Sequence, residues 1–241
     1  MRYKVIFAYD GTNYFGYAKQ PYKKTIQGEI EGVLQTIFQK DLTIYASGRT
    51  DKGVHALNQV IHFDIENEID EDRLLTSMNK MLPDDIYIKS IEKVDENFHA
   101  RFSAKQKMYE YLVNVGEYNP LRRNFEHFIK DLDIDKMEES SKLFVGKHSF
   151  KNFTSKEEDE ENFVREIVKV EFVKERGYLR IRFLGNGFMK YQVRKMVGVL
   201  FEIGKGKIDE NFITKYLDLE NRDIVTYTAP SNGLYLKEVI Y

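Results

Sequence analysis

A polar segment framed by glycines lies between two apolar segments in the first quarter of the chain. Residues 46–56 read Ala-Ser-Gly-Arg-Thr-Asp-Lys-Gly-Val-His-Ala. Residues 42–45 before it are apolar and β-prone, and residues 59–65 after it alternate in polarity, so a strand is predicted on each side. Loops between rigid strands commonly carry binding and catalytic groups. The pattern therefore predicts a functional loop supported by two strands.

Asp51 is the candidate reactive group of this loop. Arg49 and Lys52 flank it, and neighbouring cations favour the ionised form of a carboxyl group. An ionised aspartate can act as a nucleophile or a base without a metal or a cofactor. However, Asp-Lys-Gly is also an ordinary turn sequence, and Arg49 could belong to a surface ion pair. The residues alone leave both interpretations open.

The rest of the chain alternates between strand and helix patterns. Strands are predicted at residues 3–9, 86–94, 107–113, 166–173 and 179–183, and helices at 25–40, 70–82, 135–145, 185–204 and 210–219. These patterns predict a mixed fold of the α+β class. Gly28 and Gly32 lie four residues apart in the first helix, and this spacing predicts a close helix contact, since no phosphate-loop pattern surrounds them.

The composition limits the kinds of fold and catalytic chemistry that are open to this chain. A chain of 241 residues is long enough for a large core, in one domain or in two fused halves. The absence of cysteine excludes disulfides, thiolate catalysis and cysteine-ligated zinc. The five histidines lack the spacing of common metal sites. No stretch has the character of a signal peptide or of a membrane span, so a cytoplasmic protein is expected.

The charges are unevenly distributed although the net charge is only −2. Residues 157–161 form an acidic block that is predicted to be an exposed loop. Basic residues cluster at Arg101, Lys105 and Lys107, and again at Lys190, Arg194 and Lys195. A balanced total can conceal a basic cleft.

Three further positions have more than one interpretation. Tyr109 and Tyr111 share one face of a predicted strand, where tyrosines usually pack in the core. His99 is predicted to be a buried, hydrogen-bonded histidine between two core phenylalanines, Phe98 and Phe102. The helix predicted from Gly185 to Gly204 is apolar on both sides, so the charge of Arg194 needs a fixed carboxylate partner.

The central motif resembles that of the tRNA pseudouridine synthase A (TruA) family, which reads G-R-T-D-x-G-V-H. Further segments resemble that family in the same order, and they lie at residues 10–20, 79–86, 98–104, 107–111, 146–153, 188–198 and 229–236. Together they span nearly the whole chain. Three residues depart from the family pattern: Tyr17 replaces Trp, Ala18 replaces Gln, and Gln192 replaces Met.

The resemblance implies a fold and an activity. The expected fold has two mixed α/β halves that share a central, largely antiparallel sheet, with the active-site cleft between them. Residues 1–104 would carry the catalytic aspartate loop, and residues 105–241 the stacking tyrosine and the arginine helix. The expected activity is the isomerisation of uridine to pseudouridine at positions 38–40 of the tRNA anticodon stem-loop. The family needs no cofactor and is homodimeric.

The resemblance also implies residue roles. Asp51 would be the catalytic residue and Arg194 its ion-pair partner, Tyr109 would stack on the uracil, and Arg49 would support the flipped-out nucleotide. Phosphate contacts are expected from Arg101, Lys105, Lys107, Lys151, Lys190 and Lys195. Two alternatives are a non-catalytic RNA-binding module on the same scaffold and a carboxylate-based glycosylase that releases uracil.

Overall fold

The computed structural model describes residues 1–155 and 163–241, which form ten β-strands and five α-helices. The mixed α/β character predicted from the sequence is therefore confirmed. The described residues divide into two compact units, of which the first comprises Met1–Lys105 with Tyr235–Tyr241 and the second comprises Gln106–Leu234. The acidic block at 157–161 lies outside the described residues. Among those described, no helix has the length and apolar character needed to cross a bilayer.

The elements follow one another along the chain in a mixed order. The first six are β1 (Arg2–Tyr9), α1 (Ile26–Phe38), β2 (Tyr45–Ala46), β3 (His55–Asp64), α2 (Glu71–Met81) and β4 (Ile86–Val94). The others are β5 (Gln106–Asn114), β6 (His127–Phe128), α3 (Ile134–Ser141), β7 (Gly146–Ser149), β8 (Val164–Glu175), β9 (Tyr178–Gly185), α4 (Gln192–Gly204), α5 (Asn211–Asp218) and β10 (Leu234–Ile240).

The sheet of the first unit has the strand order β4-β1-β3-β10. β1 lies antiparallel to both β3 and β4, and β10 runs parallel to β3. Side chains alternate along β1, so that Tyr3, Val5, Phe7 and Tyr9 are buried, as the sequence pattern predicts. The pairing of Tyr235 with His55 anchors β10 where β3 begins.

The two helices of the first unit begin at side-chain caps. Thr25 Oγ1 accepts a hydrogen bond from the Gly28 amide at 3.3 Å, and the Asp70 carboxylate accepts one from the Arg73 amide at 2.9 Å. The side-chain amide of Asn79 then makes two hydrogen bonds with the backbone of Ile88, at 2.9 and 2.8 Å. These last two bonds fasten the end of α2 to β4.

The strand predicted at residues 42–45 is almost absent. Only Tyr45 and Ala46 pair with β3, opposite His62 and Ile61. Residues 42–44 are not in a strand, although β3 continues to Asp64. β3 also begins earlier than predicted, at His55, because that end pairs with β10.

The second unit contains an antiparallel sheet in the order β5-β9-β8-β7, and β6 pairs in parallel with β5. The predicted strands β5, β8 and β9 are confirmed. The predicted helix at 185–204 begins later, at Gln192. The loop before it is held to β8 instead, since Asn186 exchanges hydrogen bonds with the backbone of Glu166 at 3.0 and 3.1 Å. From Gln192 onward α4 is buried on nearly all sides, as predicted.

Two packing predictions in the first unit are wrong. Gly32 is exposed, and a Cβ atom added there would meet nothing within 4 Å, so it makes no close helix contact. Phe102 is 77% exposed instead of lying in the core. Its ring packs on His99 at 4.4 Å between centroids, at the rim of an aromatic cluster with Tyr45 and His62.

Because Gly32 occupies a helix interior with open space around it, Gly32→Ala should stabilise the protein. The expected gain in the free energy of unfolding is about 0.5–1 kcal/mol, which reflects the conformational entropy of glycine in the unfolded chain. Urea denaturation of the two proteins measures it. Gly28→Ala is the matched control in the same helix, since its new Cβ would lie 3.0 Å from Thr25 Oγ1 and disturb the cap. An equal gain from both substitutions would contradict this account.

His62 should make the fold sensitive to acid. Burial, then the charges of Arg2 and His99, lower its pKa to about 4, whereas an unfolded histidine titrates near 6.5. Its Nδ1 accepts a hydrogen bond from the Ala100 amide at 3.1 Å. Between these two pKa values the unfolded chain binds the extra proton, so stability is fully present above about pH 6.5 and falls as the pH drops towards 4.

The variant His62→Asn retains an acceptor but cannot titrate. We expect the pH dependence of its unfolding free energy between pH 4 and 6.5 to be shallower, by up to one proton, than that of the wild-type protein. Denaturation series at half-unit pH intervals measure this slope. Identical slopes in the two proteins would show that His62 does not titrate in this range.

Candidate active site

The loop between β2 and β3 is fastened to the sheet at its first residue. Ser47 is buried; its amide donates to the Val60 carbonyl at 2.8 Å, and its hydroxyl donates to Gln59 Oε1 at 2.7 Å. The side-chain amide of Gln59 returns a hydrogen bond to the Gly48 carbonyl at 3.1 Å. Gln59 is itself fully buried on β3. The loop therefore leaves the sheet in a fixed direction.

The four residues at the tip of the loop differ in their exposure to solvent. Arg49 and Lys52 are exposed, Thr50 is buried and Asp51 is partly buried. The hydroxyl groups of Thr50 and Tyr9 form a hydrogen bond of 2.7 Å in the core. The Thr50 carbonyl also accepts a hydrogen bond from the Tyr17 amide at 3.1 Å. Thr50 is thus the anchor that holds Arg49 and Asp51 on either side of it.

A tight turn follows Asp51 and depends on two glycines. The Val54 amide donates to the Asp51 carbonyl at 3.1 Å, and Gly53 adopts a φ of +76°, which glycine tolerates best. Gly11 packs directly on the turn, since a Cβ atom there would lie 2.0 Å from the Val54 carbonyl oxygen. Only glycine fits at position 11. The Asp-Lys-Gly turn expected from the sequence is present, and it shapes the loop that carries Asp51.

His55 fixes the end of the loop, a role that the sequence analysis missed. Its Nδ1 lies 3.1 Å from the Gly11 amide nitrogen and 3.1 Å from Asp10 Oδ1, and its ring stacks on Tyr235 at 4.8 Å. The side chain is 2% exposed. The Asp-Gly pair at residues 10–11 and the His at the end of the motif were the available signals, but nothing in the sequence shows that they meet.

His99 has the structural role that was predicted, although it is only partly buried. Its Nδ1 accepts hydrogen bonds from the amides of Arg101 and Phe102, at 3.1 and 3.3 Å. Within residues 1–155 and 163–241, no group of three or more His, Asp or Glu side chains is arranged to hold a metal ion.

The two candidate tyrosines of the second unit have different surroundings. Tyr111 is fully buried, its hydroxyl donates to the Pro230 carbonyl at 2.8 Å, and burial raises its pKa. Tyr109 is 8% exposed, and the edge of the Phe188 ring contacts its ring at a centroid distance of 5.2 Å. Tyr111 is therefore a core residue bonded to a backbone carbonyl, whereas Tyr109 lies nearer the surface.

Arg194 lies in the first turn of α4 and is partly buried. Its Nε donates to the Ala229 carbonyl at 2.8 Å, and the Ala229 amide donates to the Arg194 carbonyl at 2.9 Å. The guanidinium also lies 5.0 Å from the centroid of the Tyr191 ring. These contacts hold the guanidinium in one orientation.

The next lysine corrects a sequence prediction. Lys195 was expected to contact RNA phosphate, but it is 6% exposed and its ammonium donates to the Val225 carbonyl. Burial and the neighbouring Arg194 lower its pKa. The helical period explains the difference, since adjacent residues on a helix point about 100° apart and here only position 194 lies near the surface. Arg101, Lys105 and Lys190 are exposed, as expected.

Gln192, one of the three departures from the family pattern, begins α4 and binds the segment that precedes the helix. It is fully buried, and its Oε1 accepts a hydrogen bond from the Met189 amide at 2.9 Å. The preceding Tyr191 has a φ of +62° and provides no side-chain cap. The side chain of Gln192 therefore satisfies the backbone amide of Met189, three residues before α4 begins.

The structure thus places Arg49 and Asp51 on one loop of the first unit, and Tyr109 and Arg194 on two elements of the second unit. Asp51 and Arg194 belong to different units, and the ion pair between them stays a prediction.

Comparison with known proteins gives a consistent result over the full chain. The model of a family described as tRNA pseudouridine synthase matches residues 5–103 and 141–241. Proteins named tRNA pseudouridine synthase A are similar to this chain over its whole length. The one from Exiguobacterium sp. is 42% identical, with 98% of its own length covered. Those from Streptococcus agalactiae serotype III and Geobacillus sp. are 42% and 41% identical, with 95% and 98% covered.

Among solved structures, a chain of a Cbf5–Nop10–Gar1 complex shows a distant likeness. It has 11% sequence identity and a TM-score of 0.35, with 82% of this chain and 54% of that chain covered. A likeness of this degree carries no argument about function. The full-length similarity at above 40% identity and the family match are sufficient: this chain has the fold of, and belongs to, the tRNA pseudouridine synthase family of isomerases.

Proposed function

We propose that this protein isomerises uridine to pseudouridine at positions 38–40 in the anticodon stem-loop of tRNA. The reaction breaks the N1–C1′ glycosidic bond, rotates the uracil and rejoins it through C5. No electrons are gained or lost, so the isomerisation needs no redox cofactor. The observation that carries the proposal is the full-length similarity to tRNA pseudouridine synthases A, which includes the whole Asp51 loop.

Asp51 is the reacting carboxylate in this proposal, as nucleophile or base. Three features support this role. The loop is held by buried hydrogen bonds at Ser47 and Thr50, so the carboxylate need not be ordered at the moment of reaction. Asp51 is partly buried, and partial removal from water strengthens its interaction with substrate. Arg49, which is exposed two residues before it on the same loop, favours the ionised form of the carboxylate.

The other residues act on the substrate. The target uridine must leave its stack to reach the enzyme, which costs a few kcal/mol. In the proposal Arg49, exposed on the same loop, supports the flipped-out nucleotide, and Tyr109 stacks on its uracil. Arg194 orients and holds ionised the carboxylate of Asp51. The rigid contacts of Arg194 with Ala229 and Tyr191 support a positioning role.

The proposal extends to the state of the protein in the cell. A tRNA substrate and the family resemblance are consistent with a cytoplasmic homodimer. Size-exclusion chromatography with light scattering distinguishes a dimer from a monomer of 28.5 kDa.

Asp51→Asn should abolish turnover because an amide can serve neither as nucleophile nor as base. Affinity for tRNA should stay within about tenfold of wild type, since phosphate contacts dominate binding. Release of tritium from tRNA labelled at C5 of uridine measures turnover, because pseudouridine formation must expel that hydrogen. Asp84→Asn, the same change at an exposed residue of the first unit, is the control for handling and folding. Turnover retained by Asp51→Asn would remove Asp51 from its role.

Tritium release and mass spectrometry of the treated tRNA together distinguish the alternatives. A non-catalytic RNA-binding module would bind tRNA and release no tritium in the wild-type form. A glycosylase would lower the mass of the treated tRNA by the loss of uracil, whereas isomerisation leaves the mass unchanged.

Substitution of the two strand tyrosines by leucine should separate rate from stability. Tyr109→Leu removes the proposed stacking surface, worth about 1–3 kcal/mol per base, so the rate should fall by roughly 10–100-fold with little change in stability. Tyr111→Leu removes a fully buried ring together with its hydrogen bond to the Pro230 carbonyl and should cost about 1–3 kcal/mol of unfolding free energy. Single-turnover rates and urea denaturation are measured on both. A larger loss of rate from Tyr111→Leu would reassign the stacking residue.

A further inference from the structure

An exposed phenylalanine beside the catalytic loop is contacted by two ammonium groups. The Nζ atoms of Lys23 and Lys52 each lie 4.5 Å from the centroid of the Phe15 ring. Phe15 is 40% exposed, and both lysines are exposed. The two ammonium groups are therefore at most twice that distance apart, although the residues are 29 positions apart in the chain.

Within the described part of the chain, Lys23 and Lys52 differ from several other lysines of the first unit in having no acidic partner. Within residues 1–155 and 163–241, neither Lys23 nor Lys52 forms an ion pair with a carboxylate. Other lysines of the first unit do, for example Lys93 with Glu68 at 2.7 Å and Lys40 with Glu66 at 3.4 Å. The adjacent Lys24 contacts the ring of Tyr14 at 4.6 Å. An aromatic ring that holds two ammonium groups close together, with no carboxylate beside them among the described residues, creates a local positive charge that favours the binding of an anion.

The surface formed by Phe15, Lys23 and Lys52 is rigidly held against the loop that carries Asp51. Gly16 has a φ of +97°, and a Cβ atom there would lie 2.9 Å from the Thr50 carbonyl oxygen, so the two loops are in direct contact. Phe15 is further held by a hydrogen bond of 2.9 Å from its amide to the Lys24 carbonyl. Lys52 directly follows Asp51. An anion bound at this surface would therefore be held at a fixed position relative to Asp51.

We propose that Lys23 and Lys52, positioned on the ring of Phe15, bind one backbone phosphate of the RNA strand that carries the target uridine. The inference rests on the proposed function and adds a contact to it. A phosphodiester is the anion that accompanies every nucleotide, and it neutralises the repulsion between the two ammonium groups. Position 52 is the open position of the G-R-T-D-x-G-V-H motif, so this contact belongs to the chain itself and is not implied by the family pattern.

Phe15 is a positioning residue in this arrangement, because it acts through the lysines. Its replacement by leucine removes no charge, yet both ammonium groups lose the surface that holds them. The three side chains should therefore behave as one unit and not as three independent contributions.

Binding of tRNA at several salt concentrations tests the proposal. At about 0.1 M salt, Lys23→Gln and Lys52→Gln should each weaken tRNA affinity by about 3–10-fold. The double variant should lower the slope of log K against log salt by about one phosphate contact, that is by about 0.7–0.9. Phe15→Leu should weaken affinity by a similar factor, and it should add little in the background of the double lysine variant. The loss should fall on KM and not on kcat.

Lys93→Gln is the matched control, because it removes one exposed ammonium from the same unit but from an ion pair with Glu68. It should leave affinity and salt slope unchanged, and unfolding midpoints of all variants report on folding. Wild-type affinity and slope in the double lysine variant would overturn the proposal, as would an additive effect of Phe15→Leu.

The two proposals fail differently. Binding that depends on these lysines without tritium release in the wild-type protein would sustain the phosphate contact and reject the isomerase function. Tritium release with no dependence of affinity on Lys23 or Lys52 would do the reverse.

Discussion

The contact between the loop after β1 and the loop that carries Asp51 is the constraint on which the site of the first unit depends. Gly11 approaches the Val54 carbonyl so closely that no side chain fits, and Gly16 approaches the Thr50 carbonyl in the same way. Hydrogen bonds from Tyr17 to Thr50 and between Thr50 and Tyr9 complete the contact. Backbone lies against backbone at both glycines, so neither loop can move without the other. In the proposed function, this contact places the Asp51 carboxylate before any substrate arrives, and electrostatic preorganisation of this kind lowers a reaction barrier.

Close packing of backbone at a glycine also fixes the position of α4 in the second unit. A Cβ atom at Gly198 would lie 2.8 Å from the Thr228 nitrogen and from the Tyr227 carbonyl carbon, so the segment before Pro230 lies directly on the helix. Lys195 and Arg194 bind the same segment through the carbonyls of Val225 and Ala229. A buried lysine is costly unless its charge finds an acceptor. Here the acceptor is a backbone carbonyl, which would otherwise itself be left without a donor.

The sequence predicted regular elements well where one periodic signal dominates. β1, α2, β4 and β9 follow from alternation or helical spacing with clear end signals, such as Asp70 and Pro83. The sequence prediction was wrong where contacts with residues distant in the chain determine the local structure. Nothing within residues 42–45 shows that only Tyr45 among them pairs with β3, and nothing in the helix pattern shows that Lys195 reaches the Val225 carbonyl. Of the site, Asp51 and Arg49 were predicted from their motif, whereas the supporting roles of Gly11, His55 and Gln59 required the tertiary structure.

Arg194 shows why arginine suits a position that must bind a backbone carbonyl and, in the proposed function, a carboxylate as well. Its Nε donates to the Ala229 carbonyl, and its guanidinium lies 5.0 Å from the centroid of the Tyr191 ring. In the proposed function, the rest of the same rigid group would meet the Asp51 carboxylate in the forked geometry that arginine provides. A lysine has one nitrogen on a flexible stem, so it could satisfy the carbonyl or the carboxylate but could not fix both in a plane. The neighbouring Lys195 binds only a backbone carbonyl, and one ammonium group is sufficient for that contact.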